Sequence, residues 1–147
     1  MSLDYVLNPE FFDEVEAPLR RIDGVVDAFA VRIGAAVTRN RESVPMRYLR
    51  VRHGRLDRAI QIMSYQAGPN FHPGPNGVAY GVVGHAWWDT ADGRYVWHKG
   101  FAMWPEMPSD LAEIAQTLEA CWAEVEAVRK KDMVFSPNPY KKAERRQ

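Results

Sequence analysis

VAYGVVGHAWWDTADGRYVWHKGFAMW, residues 78–104, reads as one long β-hairpin. Two runs rich in β-branched and aromatic residues flank Asp92-Gly93, a strong hairpin-turn signal. The stretch holds four of the five tryptophans and two of the four histidines. Aromatic surface on that scale is the centre of a fold, the wall of a pocket or an interface. The turn decides which side chains share a face. A two-residue turn at Asp92-Gly93 sets Trp87 opposite His98 and Trp88 opposite Trp97, with His85 and His98 as diagonal neighbours. A three-residue turn at Ala91-Asp92-Gly93 with a glycine bulge sets Trp87 opposite Trp97 and sends His98 to the face away from His85. Alanine at the first loop position favours the bulged form.

Downstream, Pro105 and Pro108 end the hairpin, and Ser109-Asp110 supplies an N-cap and a first-turn acid. Leu111, Ile114, Leu118, Cys121, Val125 and Val128 then recur three or four apart, which predicts an amphipathic helix lying on the sheet. Trp122 widens its stripe, and Arg129-Lys130-Lys131 complement the C-terminal dipole. Cys121 sits within the stripe and is expected to be buried and inert. Residues 133–147 form a proline-containing, then basic, tail, with Met133, Val134, Phe135 and Tyr140 as its anchors.

Upstream, AGPNFHPGPNG (67–77) is a long loop whose bulky centre is Phe71-His72. Before it, Met46–His53 and Arg58–Gln66 read as strands around a GRLD turn, with a loop at 39–45. Phe29, Val31, Ile33, Ala35 and Val37 alternate with smaller or polar residues, which predicts a first strand. An N-terminal helix begins at Asn8-Pro9-Glu10 and carries Phe12, Val15, Leu19 and Ile22 on one stripe. Pro18 is expected to kink it and Asp23-Gly24 to end it. The fold class is therefore α+β: a five-stranded antiparallel meander flanked by an N-terminal and a C-terminal helix, all within one domain over residues 1–132.

The chain has 147 residues and a formal net charge of zero, so no global field pulls it toward nucleic acid or membrane. One cysteine excludes an intramolecular disulfide and fits a reducing compartment. No apolar run reaches the length of a membrane span. The N-terminal residues carry no signal-peptide pattern, so the expected location is cytoplasmic. Charge is nonetheless segregated. Residues 1–19 hold five acids and no base, whereas residues 20–58 hold ten arginines against Asp23, Asp27, Glu42 and Asp57. The plain reading is pairing of these arginines with the acidic N-terminus. The sharper one is an anion-binding surface, since the guanidinium fork suits phosphate and carboxylate.

Two candidate constellations follow. Phe71, His72, His85, Trp87, Trp88, Trp97 and His98 are candidates for ligand or partner binding. Tyr48, Arg50 and Arg52 on one strand face, with Arg32 beside them, are candidates for anion binding, because an aromatic among arginines can stack a base and neutralise phosphate. No metal or cofactor is expected, since no metal-ligand, nucleophile-elbow or phosphate-loop spacing occurs. The function expected first is a non-enzymatic protein-binding or assembly module, homo-oligomeric or with a protein partner, using the uncovered hairpin face and the tail. The alternatives are a small-molecule site or enzyme with a tryptophan- and histidine-lined pocket, and a nucleic-acid-binding accessory protein using the arginine-rich strands.

Overall fold

The computed structural model of the chain describes residues 9–41, 44–66 and 76–137. Helix α1 (Pro9–Ile33) leads into β1 (Ala36–Arg41), β2 (Val44–His53), β3 (Leu56–Gln66), β4 (Val78–Asp89) and β5 (Gly93–Trp104). Helix α2 (Leu111–Ala127), a 3₁₀ turn (Lys130–Asp132) and β6 (Val134–Pro137) complete the chain. The strands form one antiparallel sheet in sequence order, β1 to β6. The α+β meander between two helices is therefore present, with six strands instead of five. The extra strand comes from the expected tail, because residues 134–137 pair with Gly93–Val96 of β5. Among the described residues, no helix is long and apolar enough to cross a membrane.

Both helices cover the same face. Val15, Leu19, Ile22, Val26 and Phe29 of α1 recur at helical spacing and are buried against Leu49, Val51, Ile60 and Ile62. Ile114, Leu118, Cys121, Trp122 and Val125 of α2 complete this core against β4. The stripe continues through Asp23-Gly24, so α1 does not end there, and the strand expected from Phe29 is helix as far as Ile33. Val31, an inward residue in the strand reading, is 82% exposed. The true stop is Gly34, at φ +74°. Gly34 N–H donates to Val31 O at 3.2 Å and Ala35 N–H to Ala30 O at 2.8 Å, the paired bonds that close many helices over a left-handed glycine. Pro18 lies inside the helix, where its ring has no N–H for the Glu14 carbonyl. One residue on, the Val15 carbonyl accepts from the buried Tyr80 hydroxyl at 2.7 Å.

Asp23 stays in the helix because it has a partner. The Arg47 side chain is wholly buried between α1 and β2. Its Nε and Nη2 donate to the Asp23 carboxylate at 2.6 and 3.1 Å, and Nη2 also to Glu16 Oε2 at 3.0 Å. Nη1 donates to Asn40 Oδ1 and to the Met46 carbonyl, both at 3.0 Å. Asn40 sits at the β1 bulge with φ 65°, a left-handed conformation that asparagine tolerates. Arg20 pairs with Glu16 and Arg39 with Asp27. Arg20, Arg39 and Arg47 thus meet acids of α1, but of the acidic stretch 1–19 only Glu16 takes part; Asp23 and Asp27 lie beyond it.

A second buried arginine ends α2. Arg58 Nε donates to Val125 O at 3.1 Å and Nη2 to Val128 O at 2.8 Å. The last turn of α2 holds no basic residue of its own. Arg129, from the basic run expected there, also donates from Nη1 to Glu126 O at 2.9 Å and Val128 O at 3.1 Å, so Arg58 adds from β3 a second positive charge at this end of the helix.

Candidate anion-binding face

The hairpin closes differently from both expected turns. Thr90 Oγ1 accepts from the N–H groups of Asp92 and Gly93 at 3.3 and 3.1 Å, and Thr90 N–H donates to Gly93 O at 2.9 Å. Ala91-Asp92 is thus the tip. His85 lies directly opposite His98, Trp87 opposite Val96 and Trp88 opposite Tyr95. A bulge between Val82 and Val83 admits Phe101 as an extra residue in β5. Phe101 packs on the helix-side core.

This register settles the faces. Trp88, Trp97 and Trp104 turn toward the helices and pack on the two buried clusters. Lys130 lies 4.9 Å from the ring centre of Trp88 and 4.8 Å from that of Tyr95. The uncovered aromatic wall expected on the far face therefore shrinks to Trp87. Residues 134–137 do not lie over that wall. They extend the sheet at its edge, with Phe135 edge-on to Tyr95 at 5.2 Å.

The face away from the helices is built from cross-strand rows. Arg50, Ala59, His85 and His98 form one row, and Tyr48, Gln61 and Val83 form a second. Arg52, Asp57, Trp87 and Val96 form a third. Where these rows meet, Arg41, Tyr48, Arg50, Gln61, His85, Trp87, Asp89 and Arg94 line a hollow of about 400 Å³. A smaller hollow of about 240 Å³ adjoins it, sharing Arg41 and Gln61 and lined further by Val44, Met46 and Met63.

Guanidinium groups dominate the hollow. The Arg41 guanidinium lies 4.8 Å from the Tyr48 ring centre, and those of Arg50 and Arg94 each lie 5.6 Å from that of Trp87. Arg50 Nε donates to buried Asp57 at 2.9 Å, and Arg52 stands 4.0 Å from the same carboxylate. Arg94 holds Asp89 through two bonds of 2.7 and 3.3 Å. Among the described residues Arg41 meets no carboxylate. Four guanidinium groups thus face two carboxylates, and the local charge is positive.

The floor is neutral. His85 Nε2 lies 3.1 Å from Gln61 Oε1, and the His85 and His98 ring centres are 6.4 Å apart. Burial, together with the charge of His98, pushes the His85 pKa below its usual value. A neutral His85 donates from Nε2 to Gln61 and keeps a lone pair on Nδ1. Burial raises the Tyr48 pKa, outweighing the opposing pull of Arg41 and Arg50, so its hydroxyl keeps its proton. The guanidinium groups around this floor disfavour a bound cation. No cluster of three ligating side chains occurs among the described residues.

No protein-family model, curated protein or solved structure matches the chain.

The structure merges parts of both predicted constellations. Tyr48 and Arg50 line the same hollow as His85 and Trp87; Arg52 and His98 lie on the same face beside it. Trp88 and Trp97 are on the other side. Arg32 is not beside the strand face. It lies on α1, over Phe29 at 4.9 Å, and pairs with Glu119 of α2. Phe71 and His72 lie outside the described residues. Arg41, Gln61, Asp89 and Arg94 were missed. Arg41 was assigned to a loop, and Gln61 reads as the polar partner of Ile60 and Ile62. Asp89 reads as a turn residue, and nothing in the local sequence singles out Arg94.

Proposed function

We propose that this protein is a binding module that takes up an anionic partner on the open face of its sheet. The observation that carries this reading is the convergence of Arg41, Arg50 and Arg94 on one hollow of about 400 Å³. Of its lining residues, Asp89 alone is a carboxylate. The guanidinium fork matches phosphate and carboxylate oxygens in a bidentate way, and three such groups suit a multiply charged anion. Binding is favoured over turnover because the lining contains no serine, threonine or cysteine and its histidine already holds Gln61.

The test is a titration with inorganic tripolyphosphate at low salt, read by tryptophan fluorescence because Trp87 lines the hollow. A saturable change is expected in the native chain. It should disappear in the double variant Arg41→Glu, Arg94→Glu, whose melting temperature should stay close to the parent's because neither arginine is buried. An equal response from the folded double variant would place the anion elsewhere and end this reading.

A further inference from the structure

We infer that the anionic partner is single-stranded nucleic acid, its bases stacking at Tyr48 and Trp87 and its phosphates meeting Arg41, Arg50 and Arg94. This rests on the anion-binding reading and narrows it. Charge complementarity alone fits any anion; the aromatic rings narrow the choice. Tyr48 and Trp87, which line the hollow, each come with a flat cation, Arg41 at Tyr48 and both Arg50 and Arg94 at Trp87. An aromatic ring, or a guanidinium plane lying on one, is a platform for a nucleobase, and the same guanidinium neutralises the adjoining phosphate. An acidic peptide needs the charges and has no use for the rings.

The spacing favours a strand over a single nucleotide. Tyr48 shares a row with Gln61 and Val83, and Trp87 lies four residues beyond Val83 on a strand two away from β2. Strand geometry puts the two Cα positions about 16 Å apart. One base cannot stack on both, whereas bases a few nucleotides apart on one strand can. Between the platforms the floor is Ala59, Gln61 and His85, whose small side chain, amide and imidazole leave room for a base and offer hydrogen bonds to its edge. The track continues past Arg41 into the adjoining hollow beside Met46 and Met63. Paired bases hide the faces that these rings would stack on, so a duplex is the poorer ligand.

The experiment is fluorescence anisotropy with labelled single strands of about ten nucleotides, RNA and DNA, and a duplex of equal length. Salt is varied between about 50 and 200 mM. Three phosphate contacts predict a slope of log K against log salt near −2, at about −0.7 per contact. Arg41→Gln should reduce the slope by about 0.7. That variant leaves no described carboxylate without its partner. Trp87→Leu should weaken binding at least about fivefold with the slope unchanged. Preference of either single strand over the duplex, with these variant effects, supports the inference and shows which sugar is favoured. Equal binding of the duplex, or a slope indifferent to Arg41→Gln, overturns it. If tripolyphosphate binds and no oligonucleotide displaces it, this inference falls while the anion-binding reading stands. If neither binds, both fall.

Discussion

At the scale of single residues, Gly84 decides how closely α2 can approach the sheet. A Cβ there would lie 2.5 Å from Val125 Cγ2, 3.1 Å from Cys121 Sγ and 3.2 Å from Phe101 Cε2. Two of those atoms belong to the α2 stripe and the third to the β5 bulge, so no single rotamer change relieves the clash. Gly84→Ala is therefore expected to destabilise the fold by about 1–3 kcal/mol through overpacking. At Gly100 a Cβ would meet nothing within 4 Å, so Gly100→Ala in the same urea titration should shift the midpoint far less. Equal midpoints for the two variants would mean that α2 stands off the sheet. Much of this contact was legible in advance. The stripe spacing placed Cys121 inside, and burial together with the charge of Glu124 pushes its thiol pKa up to about 12. The hairpin register was not legible, because Thr90 closes the turn with its side chain and moves the tip from Asp92-Gly93 to Ala91-Asp92. That one-residue change brings His85 and His98 face to face and joins Trp87 to the arginines.

Among the elements, the sequence reading failed where two periodicities overlap. Between Phe29 and Val37 the apolar residues fit a strand alternation, yet Val26, Phe29, Ala30 and Ile33 also continue the α1 stripe. The helix wins because its buried partners on β2 are already in place and Arg47 holds Asp23 within it. β6 escaped notice because four residues ending in proline carry almost no strand signal, and pairing with β5 supplies what propensity lacks. At the end of α2 the sequence reveals Arg129, which bonds the last carbonyls, but not Arg58. A capping group from another strand leaves no local trace, and Arg58 is separated from Val125 by 67 positions. Among the described residues Arg58 is buried with no carboxylate bonded to it; burial and the charge of Arg129 disfavour its charged form, which the two helix-terminal carbonyls and the charge of Glu126 support. Arg58→Gln should cost about 2–4 kcal/mol, since the charged hydrogen bonds are lost and buried carbonyls lose a donor. Arg58→Lys should recover only part of this, because a single ammonium cannot reproduce the fork. Full recovery with lysine, measured by thermal melting, would show that charge alone matters and the two-carbonyl geometry does not.

For the whole molecule, charge is divided between the two sides of the sheet. Most described acids lie on the helices or in the segment just before α2, while the open face offers Arg41, Arg50, Arg52 and Arg94 against Asp57 and Asp89. A net charge of zero therefore conceals a basic surface. The link between the layers is the buried Arg47 network, and it sets how the fold responds to acid. Burial of Glu16 opposes its ionisation, but hydrogen bonds from Asn40, Arg47 and Arg20 and the charge of Arg47 outweigh this and hold its pKa below the ordinary 4.5. The unfolded chain thus binds the Glu16 proton first as pH falls. Stability from this group is complete above pH 4.5 and is lost as pH drops through the lower folded value. His85 acts in an earlier window. Its folded pKa is depressed below 6.5, so its contribution is complete above that pH and declines as the unfolded chain takes up protons below it. Unfolding free energy measured from pH 8 to pH 3 should therefore fall in two stages. His85→Gln should flatten the decline that begins near pH 6.5 and leave the later one. Glu16→Gln should lower stability at neutral pH and flatten the decline below pH 4.5, so that its curve approaches the parent's in acid. A Glu16→Gln curve that runs parallel to the parent's throughout would show that this carboxylate is not the acid-sensitive link between α1 and the sheet.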